Sequence, residues 1–232
     1  MEHIDNVGQI IGGFADKKIL DVGAGRGEFL LQCLKRGYNA VGIELNSEKI
    51  KDASEAARRV GLNLHLVQGR AEELPFLDES FDFVNCGEVI EHVQNPRAVL
   101  KEIHRVLRPG GKVYVSVHNR FGMYDTHFHV WFLGWLPRAW ANGYLKLLGR
   151  HKDYATAPDF QNIQEMHYFM FTDFEALAWS CGFKTVDIRA LKLNKIFSEP
   201  VRHLSRHAYP LARNFYFSTF HFLLTKPIHD SH

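Results

Sequence analysis

Short apolar runs alternate with stretches whose apolar residues recur every third or fourth position through the first half of the chain. Lys18 to Val22 reads as a buried strand, closed by Gly23, Gly25 and Gly27. A helical pattern follows, carrying Phe29, Leu30, Leu31 and Leu34, with Gly37 as its C-terminal cap. The same rhythm predicts a strand over Ala40–Glu44, a helix over Glu48–Val60 capped by Asn46 or Ser47 and ended by Gly61, and a third strand over Leu64–Val67. A turn-rich connection from Gly69 to Phe76 leads to a fourth strand, Phe81–Cys86. Asn95-Pro96 combines an N-cap with proline at the first helical position. Val99, Leu100, Ile103 and Leu107 give that helix its apolar face, Arg108-Pro109-Gly110-Gly111 stops it, and Val113–Val117 is the fifth strand. Residues before Lys17 predict a short helix or arm.

Strand and helix in alternation imply an α/β, doubly wound, Rossmann-like sheet, mostly parallel, with helices on both faces. Ligands of such sheets sit beyond the strand C-terminal ends, near the switch point. After Val117 the rhythm breaks. Residues 119–170 form an aromatic-rich insert, and Phe128, Trp131, Phe132 and Trp135, then Tyr144, Leu145 and Leu148, predict two short amphipathic helices split by Pro137. Regularity resumes at Thr172-Asp173-Phe174-Glu175, read as a capping box, in a helix running to Cys181 and closed by Gly182. A strand over Lys184–Ile188 follows. Residues 192–213 read as a second, basic and irregular insert, and Asn214–Thr225 as the last of seven strands. One domain over 1–232 is expected.

Composition narrows the partners. Formal net charge is only +2 over 232 residues, so no global field points to nucleic acid; DNA is not expected as a partner. RNA would need a basic surface, for which Arg202, His203, Arg206, His207 and Arg213 are the one cluster on offer. Three cysteines, Cys33, Cys86 and Cys181, with no C-x-x-C, fit a reducing cytosol; no apolar run reaches transmembrane length, and the start Met1-Glu2-His3 lacks a secretory pattern. A cytoplasmic location is the expectation.

The glycine turn carries the first chemistry. A dinucleotide fingerprint wants G-x-G-x-x-G, but here Glu28 stands at the third glycine's place and the order is G-x-G-x-G after Asp21. Glu44, ending the second strand, can accept both hydroxyls of a ribose. Asp21 lies inside an apolar strand and needs a partner, either the glycine loop's N–H groups or a cationic ligand. His92, after the fourth strand, is the candidate base for an acceptor that must lose a proton. Asp125, His127 and His129 alternate and would share a face if extended, yet a histidine-rich loop is the commoner arrangement and no metal site is expected.

The glycine turn, Gly69-Arg70-Ala71-Glu72-Glu73-Leu74-Pro75-Phe76, Glu88-Val89-Ile90-Glu91-His92-Val93 and Leu107-Arg108-Pro109-Gly110-Gly111, in this order, resemble the class I S-adenosylmethionine-dependent methyltransferases, and within them the ubiquinone and menaquinone biosynthesis subgroup. The resemblance covers about Lys17 to Val117, weakens from Thr172 onward and is absent between. It implies S-adenosylmethionine as cofactor. Asp21, Gly23, Ala24, Gly25 and Gly27 would hold its methionine part, with backbone groups of Cys86. Glu44 and Leu45 would take the ribose, and Arg70, Ala71 and Glu72 would frame the adenine. Arg70 departs from the family, which often has Asp there to bond the adenine amino group; arginine cannot accept that bond. In this family the segment after the fifth strand commonly covers the acceptor. His118, Tyr124, His127, Trp131 and His167 are the pocket residues so implied, with His151 and Tyr154 as further candidates. Apolar side chains there suit a small hydrophobic or lipid-like acceptor, methylated at oxygen. Basic neighbours would also suit shallow contact with an anionic membrane. The competing readings are a tRNA or other RNA methyltransferase and a cofactor-binding partner protein without turnover. Oligomeric state is not legible.

Overall fold

The computed structural model describes residues 3–150, 162–196 and 201–228, with side chains of 194–196 and 201–206 outside the description. Its sheet is built from strands whose both faces are apolar. β1 (Lys18–Val22), β2 (Asn39–Glu44), β3 (Leu66–Gln68), β4 (Phe81–Cys86) and β5 (Leu107–His118) run parallel. Between them lie α1 (His3–Ile11) before β1, α2 (Glu28–Lys35), α3 (Ser47–Arg59) and α4 (Pro96–Val106). Asn95 caps α4 through its Oδ1, which accepts from the Ala98 N–H.

Successive strand residues point to opposite faces, and the core divides accordingly. Leu20, Val84, Val113 and Val115 face α4, with Leu100 and Ile103, and α6 (Phe171–Ser180), with Phe174. Ile19, Phe83 and Tyr114 face α1 and α2, with Ile4, Val7, Phe29 and Leu30. Order in the seven-stranded sheet is β3-β2-β1-β4-β5-β9-β8, where β8 is Lys184–Asp187 and β9 is Thr219–Thr225. β9 runs antiparallel to both neighbours, as a mostly parallel sheet allows. Strand order reverses between β1 and β4, so the crevice outside their C-terminal ends is where a ligand belongs.

Three expectations need correction. First, Phe128 to Trp135 is not a helix. β6 (Tyr124–Asp125) and β7 (Val130–Trp131) pair as a hairpin, a 3-10 turn spans Leu133–Trp135, and only α5 (Arg138–Leu147) is helical. Phe132 at φ 56° breaks any continuous helix there. Second, α6 begins at Phe171 with no side-chain cap, so Thr172 lies inside it and the capping box does not form. Third, residues 192–213 are not irregular: α7 (Ile188–Ile196) and α8 (Val201–Tyr216) occupy most of the stretch, and β9 starts only at Thr219. Among the described residues no helix is long and apolar enough to cross a membrane.

Candidate functional site

At the β1 terminus the backbone turns through Gly23, Gly25 and Gly27, all with φ between 55° and 77°. That left-handed region is open to glycine at little cost. At Gly23 a side chain would also meet the Val89 methyl, 2.5 Å from an added Cβ. Gly27 caps α2 without a side chain and leaves that helix's first N–H groups facing the crevice.

Glu44 fastens this turn. Its Oε2 accepts from the Gly25 N–H at 2.9 Å and its Oε1 from the Asn46 N–H at 2.9 Å. A carboxylate oxygen has lone pairs beyond one such bond, so both remain able to accept hydroxyls. Asp21 does not brace the loop, one of its two sequence-based options. Parallel register sets it beside Asn85, whose Nδ2 donates to its Oδ1 at 2.7 Å. Asp21 Oδ2 is buried and accepts no hydrogen bond from the described residues. Burial, with the Glu44 charge adding to it against the Asn85 bond, pushes the Asp21 carboxyl up to about 7.

A cavity of about 500 Å³ opens over Asp21, Gly23, Ala24 and Gly25. Its other walls come from residues that sequence reasoning missed: His3, Gln32, Asn85, Gly87, Tyr114 and Ser116. His3 closes one end, with Nε2 3.0 Å from Asn85 Oδ1 and its ring 4.6 Å from that of Tyr114. No motif marks these positions, because each serves through its place on the sheet. Cys86 is fully buried with its thiol pushed up by burial, which leaves only its backbone to face a ligand. Leu45 is exposed, and its carbonyl accepts from Gln68 Nε2. Arg70 Nη2 lies 3.6 Å from Glu72 Oε1, and that carboxylate also accepts the Gln94 N–H. Ala71 packs on the core.

Beyond the β4 and β5 ends a second group gathers. His118 Nδ1 stands 3.1 Å from Glu91 Oε1, and His92 Nε2 stands 4.0 Å from the same oxygen. The His127 ring lies 5.3 Å from that of His92 and 6.2 Å from that of His118. Burial alone would raise Glu91, but the adjacent His118 and His92 outweigh it and hold the carboxyl below its usual range. Burial would lower His118; Glu91 and Glu88 reverse this and raise it. Asp125 is spent on structure. Its Oδ1 accepts the N–H groups of His127 and Phe128, and its Oδ2 accepts the Tyr168 hydroxyl at 2.6 Å. His129 is exposed beside Tyr124, so Asp125, His127 and His129 do not share one extended face. His167 sits at the rim, its N–H donating to the Glu91 carbonyl.

Tyr124 and Trp131 pack on each other at 5.1 Å, on the opposite side of β6 from Asp125. Trp131, Phe132, Trp135 and Trp140 are exposed, while Phe128, Val130, Leu133, Ala141, Leu145, Ile163 and Met166 form a small core of their own. These tryptophans are therefore not sheet-edge core. A separate apolar cavity of about 240 Å³ lies between this segment and α8, lined by Phe121, Trp135, Met170 and Phe215. His151 and Tyr154 lie outside the described residues, as do the side chains of Arg202, His203 and Arg206.

Residues 20–115 match a methyltransferase domain family. The chain is similar to the ubiquinone biosynthesis O-methyltransferase of Idiomarina loihiensis, 34% identical over 136 residues, covering 54% of each chain. It is 37% identical over 110 residues to the enzyme of the same name from Aeromonas salmonicida, covering 47% of this chain and 46% of that one. The match thus spans about half the length of these relatives. Among solved structures, the YcgJ protein of Bacillus subtilis has a TM-score of 0.59 at 19% identity, covering 97% of this chain and 99% of that one. A SAM-dependent methyltransferase from Methanosarcina mazei has a TM-score of 0.57 at 22% identity, covering 95% and 98%.

Proposed function

Residues 20–115 being a methyltransferase domain of the class I, S-adenosylmethionine-dependent type, we propose that the protein methylates a small hydrophobic acceptor at oxygen. The observation that carries this is the turn fastened by Glu44 over a cavity holding one orphaned carboxylate oxygen, that of Asp21. Glycine cradle, acceptor carboxylate and buried anion fit a ligand with a ribose and an ammonium group.

In this reading Gly23, Gly25 and Gly27 admit the methionine part, Asp21 faces its ammonium, and Glu44 beside Leu45 receives the ribose. Ala71 frames the adenine between Arg70 and Glu72. Arg70, 3.6 Å from Glu72, cannot accept from the adenine amino group, so Glu72 or a backbone carbonyl would take that bond. S-adenosylmethionine held there would supply an electrophilic sulfonium methyl, and His92 would take the proton that the acceptor oxygen gives up as it is methylated. His118, His127 and His167 line the acceptor side.

Titration of radiolabelled methyl donor against metabolite extracts tests the activity. A labelled, organic-extractable, base-stable ether supports it; binding of S-adenosylhomocysteine with no labelled product from any pool would leave a binding protein instead.

Asp21 gives a pH test. Its folded pKa lies above the ordinary 3.8, so its contribution to stability is present below that value and is lost as pH rises through about 7. An ammonium placed against it would restore the ionised form. Calorimetry of S-adenosylhomocysteine at pH 6 to 7, in buffers of different ionisation enthalpy, should show proton release that Asp21→Asn abolishes. Equal proton release in that variant would place the ammonium elsewhere.

The segment between β5 and α6 is proposed as a lid. Its exposed tryptophans and the apolar cavity beneath Trp135 support an apolar acceptor, and closure would exclude water from the sulfonium. The Trp131→Ala/Trp135→Ala double variant should raise the acceptor's KM and leave cofactor affinity nearly intact. Parallel losses of folding stability and of both affinities would mean the segment is packing alone. Peripheral contact with an anionic membrane by the same aromatics is the weaker use of this surface.

A further inference from the structure

The connection from Gly69 to Phe76 contains no helix or strand, yet it is fixed at both ends. At its start the Gly69 N–H donates to the Glu44 carbonyl at 3.0 Å, so it leaves from the residue that receives the ribose in the reading above. At its end the side chains of α4 hold it. Glu102 Oε2 accepts the Leu74 N–H at 2.8 Å. Arg105 Nη2 donates to the Leu74 carbonyl at 2.9 Å, and its Nη1 to the Phe76 carbonyl at 2.8 Å and to Asp78 Oδ1 at 2.7 Å. Arg105 Nε and Nη2 also grip the Glu102 carboxylate, at 2.9 Å to Oε1 and 2.7 Å to Oε2.

A guanidinium has five N–H groups, and all five are spent here. Two meet the carboxylate in the forked geometry that lysine lacks, and three go to the loop. Arg105 in turn holds the Glu102 carboxyl below its usual range, so the pair stays ionised. An ion pair three residues apart on a partly exposed helix face adds little to stability by itself. What this one achieves is order in a backbone that has no ladder of its own. Leu74 is buried and Phe76 packs on Phe81 at 5.2 Å, so clamp and core act on the same residues. Between the two anchors stand Arg70, Ala71, Glu72 and Glu73, with Glu72 set further by accepting the Gln94 N–H at 2.9 Å.

We propose that the Glu102–Arg105 pair determines which base the cofactor site accepts, a role that rests on the adenine placement given above. The pair touches no ligand. It positions Arg70–Glu73 so that Glu72 or a backbone carbonyl stands where the adenine amino group must donate. Arg70 offers no acceptor, so the selectivity falls on the geometry of the loop. A base edge is read only where the acceptor is held to within about 0.5 Å of its place. A looser loop would still meet the ring faces through Ala71, but it would take a ring with a carbonyl in place of the amino group nearly as well. The ligand selected is therefore a 6-aminopurine nucleoside against its 6-oxo counterpart.

Calorimetry on the full chain compares S-adenosylhomocysteine with S-inosylhomocysteine, its 6-oxo counterpart. The native protein should bind the amino form about 10-fold or more tighter, the effect of setting one buried acceptor against another. Arg105→Lys keeps the charge and loses the fork, and Glu102→Gln puts an amide nitrogen where an acceptor is needed. Each should bring the ratio down to about 3-fold or less, the effect of a hydrogen bond that is no longer held in place. A clamp that served folding alone would weaken both ligands equally and leave the ratio where it was. Asp78→Ala removes one of the five Arg105 bonds at an exposed carboxylate and should give an intermediate ratio, which keeps the test decisive where the other two variants misfold. An unchanged ratio in the variants, or no preference in the native protein, overturns the proposal alone. Binding of neither ligand to the native chain would overturn the cofactor reading and this proposal with it.

Discussion

Turnover of the His92→Ala variant is expected to fall by about 10²–10⁴-fold, with affinity for S-adenosylhomocysteine preserved. His92 is held by the turn after β4, where its N–H donates to the Val89 carbonyl at 2.9 Å. Its ring is half-buried, with Nε2 4.0 Å from a Glu91 oxygen and the ring facing His127. Those contacts orient an imidazole toward the space beyond β4 and β5 without enclosing it, so it can exchange a proton with an acceptor and then with water. Its ring meets Glu91 and His127, while Glu44 and the glycine turn are held by bonds of their own, so the cofactor should still bind. A turnover–pH profile provides the second reading. The variant should lose the limb that reports a base, and added imidazole should restore part of the rate. Unchanged turnover with the authentic acceptor would remove His92 from this role.

Glu44→Ala should weaken cofactor binding by about 1–3 kcal/mol, the cost of leaving buried polar partners unpaired, or roughly 5–150-fold in Kd. The carboxylate is engaged twice before any ligand arrives, by the Gly25 and Asn46 N–H groups. Alanine would orphan both and loosen a turn whose left-handed residues depend on being held. Glu44→Gln is the finer probe: its amide nitrogen cannot accept, so one of the two anchors is lost while shape is kept. Calorimetry with S-adenosylhomocysteine should rank the native protein above Glu44→Gln and that above Glu44→Ala. Full affinity in Glu44→Ala would end the ribose assignment.

What could be read in the chain follows from how local the signal is. The β1 strand, the glycine turn, Glu44 and the Asn95-Pro96 helix start are short-range patterns, and each stands where expected. The seven-stranded sheet followed from alternation alone. Phe128 to Trp135 misled because apolar spacing at three and four suits a helix but does not exclude a hairpin with a 3-10 turn. Asp125 decides locally, bonding the N–H groups of His127 and Phe128 and bending the chain there. In the 192–213 stretch the many basic residues and Pro210, which stands inside α8, hid an apolar periodicity that the helix does possess. The Glu91–His118 contact joins the turn after β4 to the end of β5, so only the β4–β5 pairing reveals it.

The position of β9 bears on how the chain reaches this state. It is inserted between β5 and β8, and through it β8 joins the sheet. During synthesis β5 therefore emerges long before its neighbour. Its outer edge, the long strand Leu107–His118, stays open until Phe220, Phe222 and Leu224 arrive to pair with it and to meet Phe171 and Phe174. Such an edge is a template for pairing with other chains while it waits. Closing the sheet therefore rests on a pairing between strands far apart in the chain, the kind of long-range contact that slows folding.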